Sequence, residues 1–439
     1  MRPRSGDAAP GGTSLPTAEL LLLPALVLLL VGALTPTAQL FPHQGDVLLY
    51  FQKADALAGG ALPYRDFAFE YPPLALVAMV VPYLAGWPFG TPTFETYRWL
   101  FLAWESLLAT ALVVTVGRLA GILSPGSGDT ARRDAANGAA TRLVVLTIVA
   151  APSLAWRFDL FPALLTAMAV LAALEGRAAV AGGAIGLGIL AKLYPAILIP
   201  ALAVPWLMAR DARRTIRFAA GVGAALTVVI VPIVALVGDA AWNPLTYQTA
   251  RGLQLESVGG GIVLLDALWQ GTEAPLTFDF GAVHVAGAAA RAVLAALPWL
   301  AVSGFGLLIA LSAYRARSEP RTGRRIDGGT IVTIAAASIV LLLTLNKVLS
   351  VQYVVWLVPF AALLPRGQFL LIALIAVLSV GIHPLNYERL IAQEAPLVLL
   401  LNVRNALLVA LLAWLVATIA RRNVARPAGL EPTTFRSAT

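Results

Sequence analysis

Long apolar stretches alternate with short polar breaks along nearly the whole chain. A bilayer core needs about 20 apolar residues per spanning helix, so runs of this kind predict about twelve helical spans. We place the spans at residues 18–40, 97–121, 142–155, 160–174, 179–192, 195–209, 216–237, 284–313, 328–346, 350–365, 367–383 and 395–420. The pattern therefore predicts an all-α, polytopic integral membrane protein with one membrane domain at residues 18–420.

Several of these spans are short and occur in pairs joined by a polar hinge. A polar hinge between two short apolar helices is typical of a broken helix, whose free backbone groups can line a cavity. The hinges read WRFD (156–159), KLYP (192–195), NKVLS (346–350) and HPLNYE (383–388).

Composition supports the membrane prediction and removes several other classes. The chain is 59% hydrophobic and 12% charged, with a mean hydropathy of +0.82. It has no cysteine, which excludes disulfides and cysteine metal sites. Its three histidines, His43, His284 and His383, lack the spacing of a metal motif, so we expect no metal and no cofactor. The net charge of +8 has a topological explanation, and we expect no nucleic-acid partner.

The basic residues predict the orientation. With the N-terminus inside, the predicted cytoplasmic segments hold 21 of the 31 basic residues and 9 of the 23 acidic ones, the usual positive-inside bias. This holds only if the apolar residues 73–89 do not cross the membrane. We therefore predict one long external loop at 41–96 with surface-lying helices, disordered cytoplasmic termini at 1–17 and 421–439, and a flexible cytoplasmic loop at 124–140. The expected location is the bacterial plasma membrane, held by an uncleaved signal-anchor.

Polar side chains without an obvious structural role concentrate on the predicted external side. An ionisable group near the hydrocarbon costs about 2.5–3.5 kcal/mol and usually marks a functional path, although each could instead cap a helix or reach to the surface. We expect these side chains to line a polar cavity that opens outward. These side chains are Asp46, Asp55, Asp66, Glu70, Arg157, Asp159, Lys192, Tyr194, Arg251, Gln254, Glu256, Asn346, Lys347, Gln352, Tyr353, His383 and Asn386.

Asp46 follows the first predicted span and precedes VLLYFQKADAL, which has an apolar face at helical spacing. An aspartate at a helix start is most often an N-cap, and the local sequence leaves that alternative open. FAFEYPPL (67–74) lies in the same loop. Its proline pair restricts the backbone and is expected to hold Glu70 and Tyr71 near Asp46, at the rim of the site.

Five sequence blocks carry a family resemblance. The pattern GD-x3-Y-x6-L-x2-G-x2-PY-x-D-x3-E-YPPL resembles the first external loop of the C-fold glycosyltransferases. Within them it is most similar to glycosyltransferase family 87, the actinobacterial polyprenyl-phosphate-mannose-dependent mannosyltransferases. Val351 stands where that family's block has proline, a change that touches no chemical group. The later blocks that resemble the family, in its order, are RFD (157–159), AKLYP (191–195), RGLQLES (251–257) and NKVLSVQYVVWLVP (346–359).

The resemblance implies an enzyme, a hexosyltransferase that moves a sugar with inversion from a polyprenyl-phosphate donor to a hydroxyl. Mannose and an acceptor such as a phosphatidylinositol mannoside, on the outer face of the membrane, rest on the resemblance alone. The family's general base corresponds to Asp46. The departing phosphate needs cations, for which we expect Lys347 and Arg251 first, then Lys192 and Arg157. The remaining candidates would bind substrate: Glu70, Tyr71, Asp159, Tyr194, Gln254, Glu256, Asn346, Gln352, Tyr353 and His383.

Two other functions fit parts of the pattern. A secondary transporter would also have many spans and broken helices, but it would place polar groups near the midplane in two related halves. A polyprenyl-linked glycan polymerase or ligase would use a similar carrier, but it would usually rely on a large late external loop rather than an acidic first one.

Overall fold

The computed structural model describes residues 15–35, 46–124, 128–318 and 327–421, and the fold below is that of these residues. Predictions for the other residues, including His43 and nearly all of both termini, lie outside the described ranges. The helices are α1 (Ala18–Leu34), α2 (Val47–Ala58), α3 (Ala75–Gly86), α4 (Phe94–Leu123), α5 (Asp129–Leu154), α6 (Leu160–Leu174), α7 (Ala178–Ala191), α8 (Ile199–Met208), α9 (Ala212–Val237), α10 (Asn243–Ala250), α11 (Val258–Trp269), α12 (Gly287–Ser318), α13 (Gly328–Leu345), α14 (Val358–Ala361), α15 (Arg366–Ile382), α16 (Tyr387–Ile391) and α17 (Ala395–Ala420).

Four 3-10 helices and three short strands complete the fold of the described residues. The 3-10 helices are Trp87–Phe89, Tyr194–Leu198, Gly238–Trp242 and Val351–Trp356. The strands are β1 (Leu253–Gln254), β2 (Leu276–Asp279) and β3 (Ala282–Val285).

Within the described residues, six stretches of helix are long and apolar enough to cross a membrane: 94–123, 129–154, 212–250, 287–318, 328–345 and 395–420. None of the apolar window in 212–250 and only 6% of that in 287–318 is buried inside the protein. Such uncovered apolar surface is expected where a helix faces lipid. Together these helices indicate a multi-pass membrane protein, while the exact number of crossings stays a prediction.

The four polar hinges are confirmed as breaks in the helical structure. Helix α5 ends at Leu154, α7 at Ala191, α13 at Leu345 and α15 at Ile382, each at the start of a predicted hinge. At the second hinge Lys192 is extended, with φ −160° and ψ 140°. Each break leaves backbone carbonyl groups at a helix end without an intrahelical partner, so polar surface gathers where the hinges meet.

The described part of the loop predicted at 41–96 contains helices, as expected. Helices α2 and α3 have 12 residues each, about 18 Å at 1.5 Å per residue, which is too short for a hydrocarbon core of about 30 Å. The backbone N–H of Leu74 donates to the carbonyl oxygen of Leu190 over 2.8 Å. This bond attaches the end of FAFEYPPL to the last turn of α7, beside the second hinge.

The glycine-rich run at 182–188 brings α7 and α9 into close contact, since small residues let helices approach. A Cβ atom on Gly182 would lie 2.0 Å from the carbonyl oxygen of Phe218. One on Gly221 of α9 would lie 2.1 Å from the carbonyl oxygen of Ala179. Any larger side chain at these positions would push the two helices apart.

The prediction of a wholly helical protein is wrong for one segment. Strands β1, β3 and β2 form an antiparallel sheet in that order, with Gln254 opposite His284 and Asp279 opposite Ala282. The hairpin of β2 and β3 turns at Phe280 and Gly281, whose φ values are 51° and 67°, the conformation of a tight two-residue hairpin turn. Strands of two to four residues are too short to give a clear alternating pattern, so the predicted span at 284–313 wrongly included β3.

Two further predictions need correction. Residues 129–140 belong to α5 and are not a flexible loop, because this alanine-rich stretch favours helix. The predicted span at 350–365 consists of the 3-10 helix Val351–Trp356 and the four-residue α14. Its prolines and β-branched residues end regular α-helix early, and the segment packs within the core.

Candidate active site

The hinges and the first loop surround a cavity of about 630 Å³. Of the seventeen side chains predicted to line an outward-opening cavity, thirteen line this one, whereas Asp55, Asp66, Asp159 and Asn386 do not. They come from segments far apart in sequence, so the tertiary fold brings them together. Their chemical roles remain predictions. Tyr71, which was expected near Asp46, lines the cavity with the thirteen, which are Asp46, Glu70, Arg157, Lys192, Tyr194, Arg251, Gln254, Glu256, Asn346, Lys347, Gln352, Tyr353 and His383.

Asp46 occupies the N-cap position of α2, yet its side chain makes no capping hydrogen bond. Its carboxylate instead forms an ion pair with Arg157. The hydroxyl groups of Tyr50 and Tyr71 each lie 3.4 Å from Asp46 Oδ2, and about a third of the side chain (31%) is exposed. The carboxylate thus lies at the cavity wall and does not cap the N-terminus of α2.

Tyr71 brings FAFEYPPL to the cavity, as expected. Its ring packs edge-on against Phe158, with centroids 5.0 Å apart, and its carbonyl oxygen accepts a hydrogen bond from the Tyr64 hydroxyl over 2.8 Å. Glu70, beside it, lines the cavity, and burial raises the pKa of its carboxyl above the ordinary value. Both residues therefore lie at the wall that holds Asp46.

Asp159 was predicted to bind substrate, but it does not line the cavity. Its carboxylate is buried behind the wall, where Oδ1 accepts hydrogen bonds from Lys192 Nζ over 2.6 Å and from Trp356 Nε1 over 2.5 Å. The hinge WRFD turns into α6 at this residue, which points the side chain into the core. Asp159 therefore contacts side chains that line the cavity, but not the cavity itself.

Three aromatic rings form a stack in the cavity wall. Trp356 lies between Tyr194 and Tyr353, with centroid distances of 4.2 Å and 4.0 Å and interplanar angles of 3° and 21°. The Lys192 ammonium lies 5.3 Å and 5.4 Å from the centroids of Tyr353 and Trp356, and 4.9 Å from that of Phe158. Cation–π attraction of this kind adds about 0.5–2 kcal/mol per pair, which favours one location for the ammonium.

Lys347 and Arg251 differ in how they are held. Lys347 Nζ donates to the carbonyl oxygens of Thr249, over 2.8 Å, and Arg251, over 2.6 Å. Two of its three N–H donors are therefore used by the backbone. Burial, and then the nearby Arg251, lower the pKa of the Lys347 ammonium. The Arg251 guanidinium lies 5.9 Å from the Tyr247 ring centroid and lines the cavity. The hydrogen bond from Lys347 to the Arg251 carbonyl oxygen thus holds the backbone from which this guanidinium extends.

The 251–257 block forms a second polar wall. Gln254 Nε2 donates to Glu256 Oε2 over 3.0 Å and to Ser350 Oγ over 3.2 Å. Burial raises the pKa of the Glu256 carboxyl to about 7, although Arg404, Gln254 and Arg157 oppose the shift. The Arg404 guanidinium also donates to the Glu256 carbonyl oxygen over 2.7 Å. A carboxyl in this setting changes its protonation near neutral pH.

Several cavity residues were not identified from the sequence. Tyr50 contacts Asp46 without lining the cavity, and this contact was predictable because its position four residues after Asp46 places both on one helix face. Tyr247 and Phe280 meet only because the β2–β3 hairpin folds back, so that the Tyr247 hydroxyl donates to the Phe280 carbonyl oxygen over 2.9 Å. No local sequence pattern predicts the contact between Tyr247 and Phe280.

Two solved structures are similar to this chain, and both are crystal structures of the Archaeoglobus fulgidus oligosaccharyltransferase. The structure tethered by a disulfide bond to an acceptor peptide with the NVT sequon has 15% sequence identity and a TM-score of 0.42. The alignment covers 92% of this chain and 54% of that one. The apo structure has 13% identity and a TM-score of 0.43, with 92% and 55% covered.

This chain therefore spans about half the length of the solved proteins that it matches. No protein-family model matches the sequence. No curated protein sequence matches it either.

Proposed function

We propose that the protein is an inverting C-fold glycosyltransferase of the family-87 type. It would transfer a mannosyl or other sugar residue from a polyprenyl phosphate to a hydroxyl of a glycolipid on the external face of the plasma membrane. The observation that carries the proposal is the position of the Asp46 carboxylate. It lines the same cavity as four cationic side chains, Arg157, Lys192, Arg251 and Lys347.

One base and a set of cations suffice for this reaction. The Asp46 carboxylate takes the proton of the acceptor hydroxyl while the acceptor oxygen bonds to the anomeric carbon. The bond between that carbon and the phosphate oxygen breaks, and its electron pair leaves with the polyprenyl phosphate. Attack from the face opposite the leaving group inverts the configuration, and the cations stabilise the charge that the phosphate gains.

The ion pair of Arg157 and Asp46 fits this sequence of events. In the free enzyme the pair holds both side chains at the wall and limits the cost of burying either charge. A donor phosphate would offer Arg157 a second anionic partner. Arg157 would then share its donors between the phosphate and Asp46, which leaves a carboxylate oxygen for the acceptor proton.

The other lining residues have the chemistry that sugar binding requires. Hydroxyl groups of a sugar are bound by carboxylate, amide and imidazole groups, while its apolar face packs on aromatic rings. We assign this role to lining residues of the first loop, of the 251–257 block, of the last three hinges and of the 3-10 helix Val351–Trp356. The residues concerned are Glu70, Tyr71, Tyr194, Gln254, Glu256, Asn346, Gln352, Tyr353 and His383. Mannose as the sugar and a phosphatidylinositol mannoside as the acceptor follow from the sequence resemblance.

The test is sugar transfer by purified protein in lipid vesicles. The vesicles receive radiolabelled polyprenyl-phosphate mannose and a phosphatidylinositol mannoside, and the labelled glycolipid is measured. Asp46→Asn should lower the rate about 10²–10⁴-fold, the usual contribution of a general base. Asp66→Asn is the matched control, because Asp66 lies in the same loop but bonds to Arg65 and the Leu62 backbone outside the cavity.

Two results would contradict the proposal. Asp46→Asn transferring sugar at the rate of the unmodified protein would remove Asp46 as the base. Uptake of a solute into the vesicles with no labelled glycolipid would favour a secondary transporter instead.

A further inference from the structure

Asp159 joins two features of the cavity wall. The carboxylate is 1% exposed, and its Oδ1 accepts hydrogen bonds from Lys192 at the end of α7 and from Trp356 at the end of a 3-10 helix. Asp159 and Lys192 belong to two separate hinges, and Trp356 ends the 3-10 helix that follows a third. A single buried oxygen therefore fixes the relative positions of a cation and a stack of aromatic rings.

The geometry leaves little freedom to the Lys192 ammonium. The side chain is 13% exposed, its nitrogen lies over three rings, and one of its three N–H donors is used by Asp159. A lysine side chain ordinarily loses rotamer entropy when a ligand fixes it. Here the fold has already fixed it, with donors still available toward the cavity.

We propose that Asp159 is a positioning residue, which holds Lys192 and Trp356 so that Lys192 binds the phosphate of the polyprenyl-phosphate donor. The inference rests on the proposed function, because it assigns the phosphate subsite of that same cavity. Asp159 itself contacts no substrate. Its charge compensates the cost of burying the ammonium, and its two hydrogen bonds set the ammonium beside the Tyr194–Trp356–Tyr353 stack.

This assignment changes the order of the cations. Lys347, first in the sequence-based ranking, has two donors occupied by backbone carbonyl groups, whereas Lys192 has one occupied by a side chain. Burial strengthens hydrogen bonds from a charged donor to a phosphate. Lys192, with Arg251 beside the same cavity, is therefore the better placed to bind the leaving group.

The alternative is a structural ion pair that only stabilises the hinge, and a double-mutant cycle separates the two. Asp159→Asn, Lys192→Met and the double variant are compared for donor KM and kcat. If Asp159 acts through Lys192, Asp159→Asn raises the donor KM about tenfold with a small change in kcat. The double variant is then no worse than Lys192→Met alone. The proposal would be overturned if the double variant raised the donor KM by the product of the two single effects. It would also be overturned if Asp159→Asn lowered the stability but left the donor KM unchanged.

Two matched variants complete the cycle. Glu394→Gln removes one partner of an exposed ion pair with Arg389 outside the cavity and should leave the donor KM unchanged. Lys192→Arg keeps the charge and should restore most of the donor affinity that Lys192→Met loses. If Asp159→Asn does not fold, Trp356→Phe provides the test, since it removes the other hydrogen bond to Asp159 and should also raise the donor KM.

A binding measurement separates failure of this inference from failure of the proposed function. Protein labelled with 5-fluorotryptophan is titrated with a short-chain polyprenyl phosphate, and the Trp356 signal is assigned from Trp356→Phe. We expect the signal to shift on titration, with about tenfold weaker affinity in Asp159→Asn. Equal affinities, or no binding by the unmodified protein, would overturn the inference. Binding without any sugar transfer would contradict the proposed function alone.

Discussion

The Arg157 guanidinium is ion-paired with the Asp46 carboxylate at the wall of the cavity. Arg157 belongs to the hinge between α5 and α6, whereas Asp46 begins α2. The pair therefore connects the start of α2 to the hinge between α5 and α6. It joins the proposed base to a cation that could bind the donor phosphate, so a change on one side should affect both catalysis and donor binding.

Replacing Arg157 tests this connection. Arg157→Gln should lower kcat/KM for the donor about 100-fold, because the phosphate loses a cation and Asp46 loses the partner that holds it in place. Arg157→Lys should recover part of the loss, since it keeps the charge but not the planar fork. Initial rates of sugar transfer at varied donor concentration measure both parameters. Equal activity of Arg157→Gln and the unmodified protein would contradict the assignment.

Glu256 makes the stability of the protein depend on pH. Its folded-state pKa of about 7 lies above the ordinary value of 4.5, so the folded state binds this proton more tightly than the unfolded one. The associated stability is present below about pH 4.5 and is lost as the pH rises through 7. Glu256→Gln resembles the protonated form and should therefore be more stable than the unmodified protein at pH 8 by about 1–3 kcal/mol.

Thermal unfolding of both proteins in detergent between pH 4.5 and 8 checks this difference. Glu273→Gln, at an exposed position, is the control. A constant difference between Glu256→Gln and the unmodified protein over the whole range would mean that Glu256 is not the titrating group.

The α7–α9 contact provides a matched pair of substitutions in adjacent positions. Gly182→Ala places a methyl group 2.0 Å from the Phe218 carbonyl oxygen, whereas a Cβ on Gly183 meets no atom within 4 Å. Gly182→Ala should destabilise the protein by about 1–3 kcal/mol through overpacking. Gly183→Ala should be neutral or slightly stabilising, since alanine favours helix. Unfolding temperatures of the two variants measure the contrast, and equal values would refute the close contact.

Lys347 should contribute to stability more than to chemistry. Lys347→Met removes an exposed hydrogen bond to the Thr249 carbonyl and a partly buried one to the Arg251 carbonyl, and the partly buried oxygen left without its donor costs about 1–3 kcal/mol. The Arg251 segment should then move, and donor KM should rise.

Lys53→Met is the control for Lys347→Met. Lys53 bonds to one exposed carbonyl group, that of Ala68, and the expected cost is below about 0.5 kcal/mol. Chemical denaturation measures the two variants. An equal loss of unfolding free energy in both variants would show that the burial of the hydrogen bond from Lys347 to Arg251 does not affect stability.

The sequence by itself determined that the protein is a mostly helical, multi-pass membrane protein, and it identified most of the polar residues that line the cavity. Apolar run lengths identified the helices and their polar breaks, because a membrane admits helices whose backbone groups bond internally. Thirteen of the seventeen side chains expected to line an outward-opening cavity line this one, since polar groups in an apolar chain must gather where they can be solvated or paired.

Only the tertiary structure decided which of those groups contact one another. In the folded protein Asp46 forms an ion pair with Arg157, and Asp159 is buried behind Lys192 and Trp356. The β2–β3 hairpin folds back to line the cavity. Local sequence carries periodicity and propensity but not the direction of a side chain after a helix break. That direction depends on packing between segments remote in the chain. Burial by those segments also raises the pKa of Glu256, an effect that no neighbour in sequence produces.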